Sequence, residues 1–122
     1  MPKKAKRENP FQGRWLIDHM DQWDVEEESE ELQPFSEFER NDTGQFQFGC
    51  VYGEMDYRLG QRDGKPSIEF SWDGHDEDEQ VFGRGWAVLD GDELTGMIFF
   101  HLGDESGFVA KPGKEKPKRK RK

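Results

Sequence analysis

From residue 13 to residue 111, apolar and polar side chains alternate with a period of two, and turn residues interrupt the pattern at short intervals. Such alternation predicts strands with one face turned to a core. The clearest hairpin joins Glu54–Arg62 to Lys65–Asp73 at Asp63-Gly64, a dipeptide suited to a tight type I′ turn. Its register sets Leu59 opposite Ile68, Tyr57 opposite Phe70 and Met55 opposite Trp72. On the other face it sets Arg58 opposite Glu69 and Asp56 opposite Ser71. A slip of one residue mixes the two faces, so the register is strongly specified.

A second hairpin joins Gln80–Leu89 to Leu94–Leu102 around Gly91-Asp92, with Gly first in the turn as type II′ prefers. It sets Leu89 opposite Leu94, Gly85 opposite Ile98 and Gly83 opposite Phe100, the glycines making room for bulky partners. A third hairpin joins Phe35–Asn41 to Gln45–Tyr52 through Asp42-Thr43-Gly44, read as a turn with a G1 bulge that pairs Phe38 with Phe48. With Gly13–His19 as first strand and Gly107–Lys111 as last, the count is about eight, nearly all joined by short loops. An all-β antiparallel meander closed into a barrel is the predicted fold, since closure removes exposed edges. The acidic segment Asp21–Gln33, carrying Trp23, Val25 and Leu32, reads equally as a short helix, a lid or a disordered stretch.

The predicted inward set is Trp15, Ile17, Phe46, Phe48, Tyr52, Met55, Tyr57, Leu59, Ile68, Phe70, Trp72, Leu89, Leu94, Ile98, Phe100 and Phe108. So many large side chains favour a filled interior, while glycines at 49, 83, 85 and 96 leave space that a small ligand would use. Trp15, Tyr57, Phe70, Trp72 and Phe100 are the candidate ligand-binding residues. Outward, Phe82, Trp86, Val88, Met97, Phe99 and Val109 predict an apolar patch. Cover by residues 21–33 or by a second copy in a homodimer is expected ahead of a foreign partner.

Composition refines this picture. A chain of 122 residues suits one domain, and 37% charged against 31% apolar residues would alone suggest disorder. Ten Phe, four Trp and two Tyr in alternating runs argue instead for a compact core in a polar skin. The formal charge of −9 hides a partition: 6 basic against 25 acidic residues lie in 9–110, with the remaining cations in the terminal stretches. Residues 1–10 and 112–122 are read as basic disordered tails around a barrel domain at 11–111. Cys50 is the one cysteine, which excludes an intrachain disulfide and suits a reducing, cytoplasmic setting. No stretch approaches the roughly 18 apolar residues of a membrane span, so no membrane association is expected.

Candidate chemistry is sparse. Arg58, Glu69, Arg84 and His101 fall on adjacent strands and form a polar cluster able to grip an anion or move a proton. The plainer reading of Arg58 opposite Glu69 is a cross-strand ion pair. No nucleophile has an identifiable neighbouring base, so no catalytic residue is assigned and a non-enzymatic role is expected. The run Asp73–Glu79 is rich in oxygen ligands without EF-hand spacing, and His19, His75 and His101 lack the spacing of a zinc site, so neither a metal nor a cofactor is assigned. Lys118, Arg119, Lys120, Arg121 and Lys122 would bind phosphates, act as a nuclear import signal in a nucleated cell, or pair with the acidic body of the same or another copy.

The chain resembles the calycins, the lipocalin-like up-and-down barrels, in its meander and in Gly13-Arg14-Trp15, which matches the Gly-x-Trp of their first strand. The resemblance implies a basic residue packed across that Trp, with Lys111 the best-placed match and Arg84 the second. It also implies a long loop after the first strand, where residues 21–33 stand. Three functional expectations follow. The first is a calycin-like binding or interaction module, with a small apolar ligand as one occupant. The second is a nucleic-acid-associated protein using its basic tails while the acidic body engages a basic partner. The third is a small enzyme using the Arg58, Glu69, Arg84 and His101 group.

Overall fold

The computed structural model describes residues 9–22 and 33–113. Most of the proposed tails (residues 1–8 and 114–122) and most of the acidic segment therefore lie outside the described residues. Eight strands follow one another: β1 (Gly13–Met20), β2 (Phe35–Phe38), β3 (Thr43–Phe48), β4 (Val51–Arg62), β5 (Lys65–Asp76), β6 (Glu79–Asp90), β7 (Glu93–Phe100) and β8 (Glu105–Pro112). Each pairs antiparallel with the next, and β1 pairs with β8 to close the barrel. A bulge at Asp18 lets Ile17 face Ala110 and His19 face Val109 across that seam. The all-β meander barrel read from the alternation is what the chain forms.

Two turns have the backbone that their residues predict. Asp63 and Gly64 take φ of +55° and +80°, as type I′ requires, and β4 meets β5 with Tyr57 opposite Phe70 and Met55 opposite Trp72. Gly91 takes φ +69°, which fits type II′, and Leu89 faces Leu94 while Gly85 faces Ile98.

Four details of the reading need correction. Phe38 faces Gly44, not Phe48, because the left-handed position of the β2–β3 turn is taken by Asp42 at φ +70°. The shift is by an even number of residues and keeps every side chain on its face, so alternation does not detect it. Phe48 instead faces Val51 across a tight turn at Gly49-Cys50. That turn resets the phase, so Val51 and Gly53 point inward and Tyr52 outward. The strands run past the predicted ends at Asp73 and Gln80: β5 and β6 extend to Asp76 and Glu79, leaving Glu77-Asp78 as the turn. Leu59 stays 38% exposed although Ile68 opposite it is fully buried, since the β4–β5 hairpin runs on past the rim.

The interior is a continuous aromatic stack. Phe46 meets Trp72 edge-on at 5.1 Å, Trp72 meets Phe100 at 5.1 Å, and Phe38 meets Tyr57 at 5.4 Å. Each fully buried side chain of this kind contributes roughly 1.5–3 kcal/mol, and edge-on ring pairs add about 0.5–1.5 kcal/mol. Polar ring atoms are also satisfied: Trp15 Nε1 donates to the Phe11 carbonyl at 2.8 Å and Trp72 Nε1 to the Phe99 carbonyl at 3.2 Å. Glycine is required where rings converge. A Cβ on Gly53 would stand 2.5 Å from the Phe46 ring and 2.9 Å from the Trp72 ring. Gly53→Ala is accordingly expected to destabilise the fold by about 1–3 kcal/mol through overpacking. Urea unfolding of the variant beside the parent chain checks this.

Candidate functional site

The interior comes first, because barrels of this size either fill or carry one small ligand. Trp15, Tyr57, Phe70 and Trp72 are buried within the core cluster, and Phe100 packs against it partly exposed. The enclosed space between Ile17, Met20, Phe46, Phe70, Ile98 and Phe108 amounts to about 20 Å³, room for at most one water molecule. Of the five aromatic residues Phe70 borders that space, which is too small for an apolar ligand, and Trp72 packs edge-on against Phe100.

The outer face of β4 to β7 is different. An open groove of about 490 Å³ runs between Arg58, Glu69, Ser71, Arg84, Trp86 and Phe99, with Asp56 at its border. Strand pairing lines up Asp56, Ser71, Arg84 and Phe99 in one row, and Arg58, Glu69, Trp86 and Met97 in the next. Three members of the predicted polar cluster therefore share this groove. The fourth, His101, sits in an adjoining groove of about 470 Å³ edge-on to Phe82 at 4.7 Å. Arg58 and Glu69 are opposite in register, yet the Arg58 guanidinium pairs with Asp56 at 2.6 Å instead. That bond, and the Asp56 charge, hold Arg58 more firmly protonated than an ordinary arginine.

The predicted outer patch is covered in part by the chain's own arginines. Arg62 lies over the Trp86 ring at 4.3 Å and Arg84 over the Phe99 ring at 4.9 Å, each guanidinium facing the ring's negative quadrupole. Phe82 remains 49% exposed. Sequence reasoning missed Arg62 because its stack spans from β4 across β5 to β6, a geometry that exists only once β5 and β6 pair. The expected packing of Lys111 or Arg84 across Trp15 is not what forms: Lys111 faces Leu16 and is exposed, and Arg84 is committed to Phe99. A third arginine, Arg14, lies over the Phe35 ring at 4.2 Å.

Strand formation separates the acidic run Asp73–Glu79, since alternate side chains leave opposite faces. Among the described residues no group of three or more His, Cys, Asp or Glu is placed to hold a metal ion. Nor does any helix among them cross a membrane by length and apolarity. Cys50 is exposed at its turn, with Sγ 3.5 Å from Glu77 Oε2.

The two ends of the barrel differ in charge: among the described residues one end has acids and no Lys or Arg, and the other mixes Glu39, Asp42, Asp63, Asp90, Asp92 and Glu93 with Arg14, Arg40, Arg62, Lys65 and Lys111. At the first end the strand ends and turns hold Asp76, Glu77, Asp78, Glu79, Asp104 and Glu105, and Asp21 anchors there by accepting from the Gly107 amide at 3.2 Å. The sequence of residues 23–32 holds six further acidic residues. At the other end both termini leave: Gly113 N donates to the Arg14 carbonyl at 2.8 Å, and Asn9 donates to the Tyr57 hydroxyl at 2.9 Å. The Tyr57 hydroxyl in turn donates to the Glu39 carbonyl, so one phenol ties the N-terminal segment to the rim.

Burial pushes the Tyr57 pKa above its usual value, reinforced by the Asp42 and Glu39 charges and opposed by the Asn9 hydrogen bond. A raised folded-state pKa favours the folded state while the phenol is protonated, so this contribution is intact below pH about 10 and declines as pH rises above it. Tyr57→Phe removes two hydrogen bonds and is expected to lower stability by about 1–3 kcal/mol at neutral pH and to flatten the alkaline limb of the stability profile. Denaturant titrations across neutral and alkaline pH check both. No protein-family model, curated protein or solved structure matches the chain. What is shown is a closed barrel of eight antiparallel strands.

Proposed function

We propose that the protein is a non-enzymatic interaction module that binds nucleic acid through its two basic tails, which the barrel holds at one end. The observation that carries this reading is the anchoring of Asn9 beside Tyr57 and of Gly113 beside Arg14, at one end of the barrel. Residues 1–8 carry four basic residues and residues 114–122 carry seven, so cations separated by the length of the sequence start from neighbouring points in space. Phosphate neutralisation by such cations releases counterions, which supplies sequence-independent affinity with a steep salt dependence. The acidic end repels the same polyanion and orients the barrel away from it; that end is the surface offered to a basic partner.

Self-pairing competes with an external polyanion: the run from Lys118 begins five residues beyond Gly113, about 17 Å of extended chain, and Asp90, Asp92 and Glu93 stand at the same end of the barrel. A polyanion of high charge density outcompetes such scattered carboxylates through counterion release. A ligand inside the barrel has less support, since the space between Ile17, Phe46, Phe70 and Phe108 holds at most one water molecule. An enzyme built on the polar cluster has less, since His101 lies in a different groove from Arg58 and Glu69.

The test is fluorescence anisotropy with a DNA duplex across a salt series. The full chain is expected to bind with a log–log salt slope of several units, about −0.9 per neutralised phosphate. Deleting residues 114–122 is expected to reduce that slope by several units and the low-salt affinity by more than tenfold, and deleting residues 1–8 to do so less. Binding that is unchanged without residues 114–122 overturns the reading.

A further inference from the structure

We propose that the outer face of β4 to β7 is a stacking platform for single-stranded nucleic acid, an inference that rests on the nucleic-acid reading above and names the form of ligand. The acidic body places its few cations unevenly. Of the six Lys and Arg in residues 9–110, four (Arg58, Arg62, Lys65 and Arg84) project from this face. Glu54, Asp56, Glu69 and Asp73 project from the same face; Asp56 pairs with Arg58, and Glu69 stands opposite Trp86. Among the described residues Arg62 and Arg84 form no ion pair with a carboxylate. Each instead lies over a ring, Arg62 over Trp86 and Arg84 over Phe99.

A planar cation resting on an outward ring marks a place where a base can stack. Every base has a π-face, so an aromatic ring accepts any of them, and a guanidinium displaced by a base is free to reach the adjoining phosphate. The rings stand in register for this: Trp86 on β6 and Phe99 on β7 lie in neighbouring rows, and Phe82 and His101 continue the strip. In the other direction Arg62 and Lys65 carry positive charge to the rim at the end from which both tails leave. Duplex DNA keeps its bases stacked internally and presents no free face to Trp86 or Phe99. An added peptide strand is the less suitable occupant, because the closed barrel leaves no edge to extend.

The experiment uses the full chain, with oligodeoxythymidylate, the matching oligouridylate and a blunt DNA duplex as probes at fixed salt. Trp86→Ala and Phe99→Ala are each expected to weaken single-strand binding about tenfold while leaving duplex binding within twofold. Arg84→Gln, which removes an exposed side chain and tests the face without touching a ring, is expected to weaken single-strand binding and lower its salt slope by about one unit. Comparing the deoxy and ribo probes assigns the strand chemistry. Equal losses on single strand and duplex, or no loss on either, overturn the platform while leaving the tail reading intact. Absence of binding to all three probes overturns both. Circular dichroism on each variant confirms that the barrel is intact.

Discussion

The seam between β1 and β8 is the constraint on which the molecule depends. Without it, β1 and β8 present unpaired backbone groups at two edges, and the inward faces have no enclosed space to fill. With it, every strand has two neighbours and the apolar positions converge on one axis. Closure also settles the placement of the termini. An even number of strands running alternately up and down must begin and end at the same end of the barrel, and here that end is marked by Asn9, Arg14 and Gly113.

The second consequence is an enclosed interior, and Phe46, Phe48, Tyr57, Phe70 and Trp72 are buried in it. Of the glycines that suggested free space, Gly85 yields to the Phe70 ring, while Gly83 and Gly96 lie against the Phe99 and Trp86 carbonyls. Gly53 likewise yields to Phe46 and Trp72. Binding capacity is therefore displaced outward, to the groove across β4–β7 and to the terminal segments.

Charge follows the same geometry. A body with 25 acidic residues against 6 basic ones has little net attraction for a polyanion as a whole. Acidic turns occur at both ends, while among the described residues the cations lie in one sector and at the end where the termini are anchored. Two arginines of that sector lie on aromatic rings, which reduces exposed apolar area and keeps the guanidinium groups out of carboxylate pairs. Attraction and repulsion are thus separated in space within one small domain.

The alternation of side chains was enough to establish the class of fold, the core face of most strands and the two hairpins at Asp63-Gly64 and Gly91-Asp92, because those properties are local: a period of two and a turn dipeptide each act within a few residues. Arg58, Glu69 and Arg84 could be placed near one another for the same reason, since register follows from a turn. What local pattern did not decide depended on phase and on contacts across three strands. Tyr52 turned outward because the chain reversed at Gly49-Cys50, Phe38 met Gly44 because Asp42 took the left-handed position, and Arg62 found Trp86 because β5 lay between them. The enclosed interior and the shared end of the two termini are likewise products of closure. No segment contains either property, since both arise only when β1 meets β8.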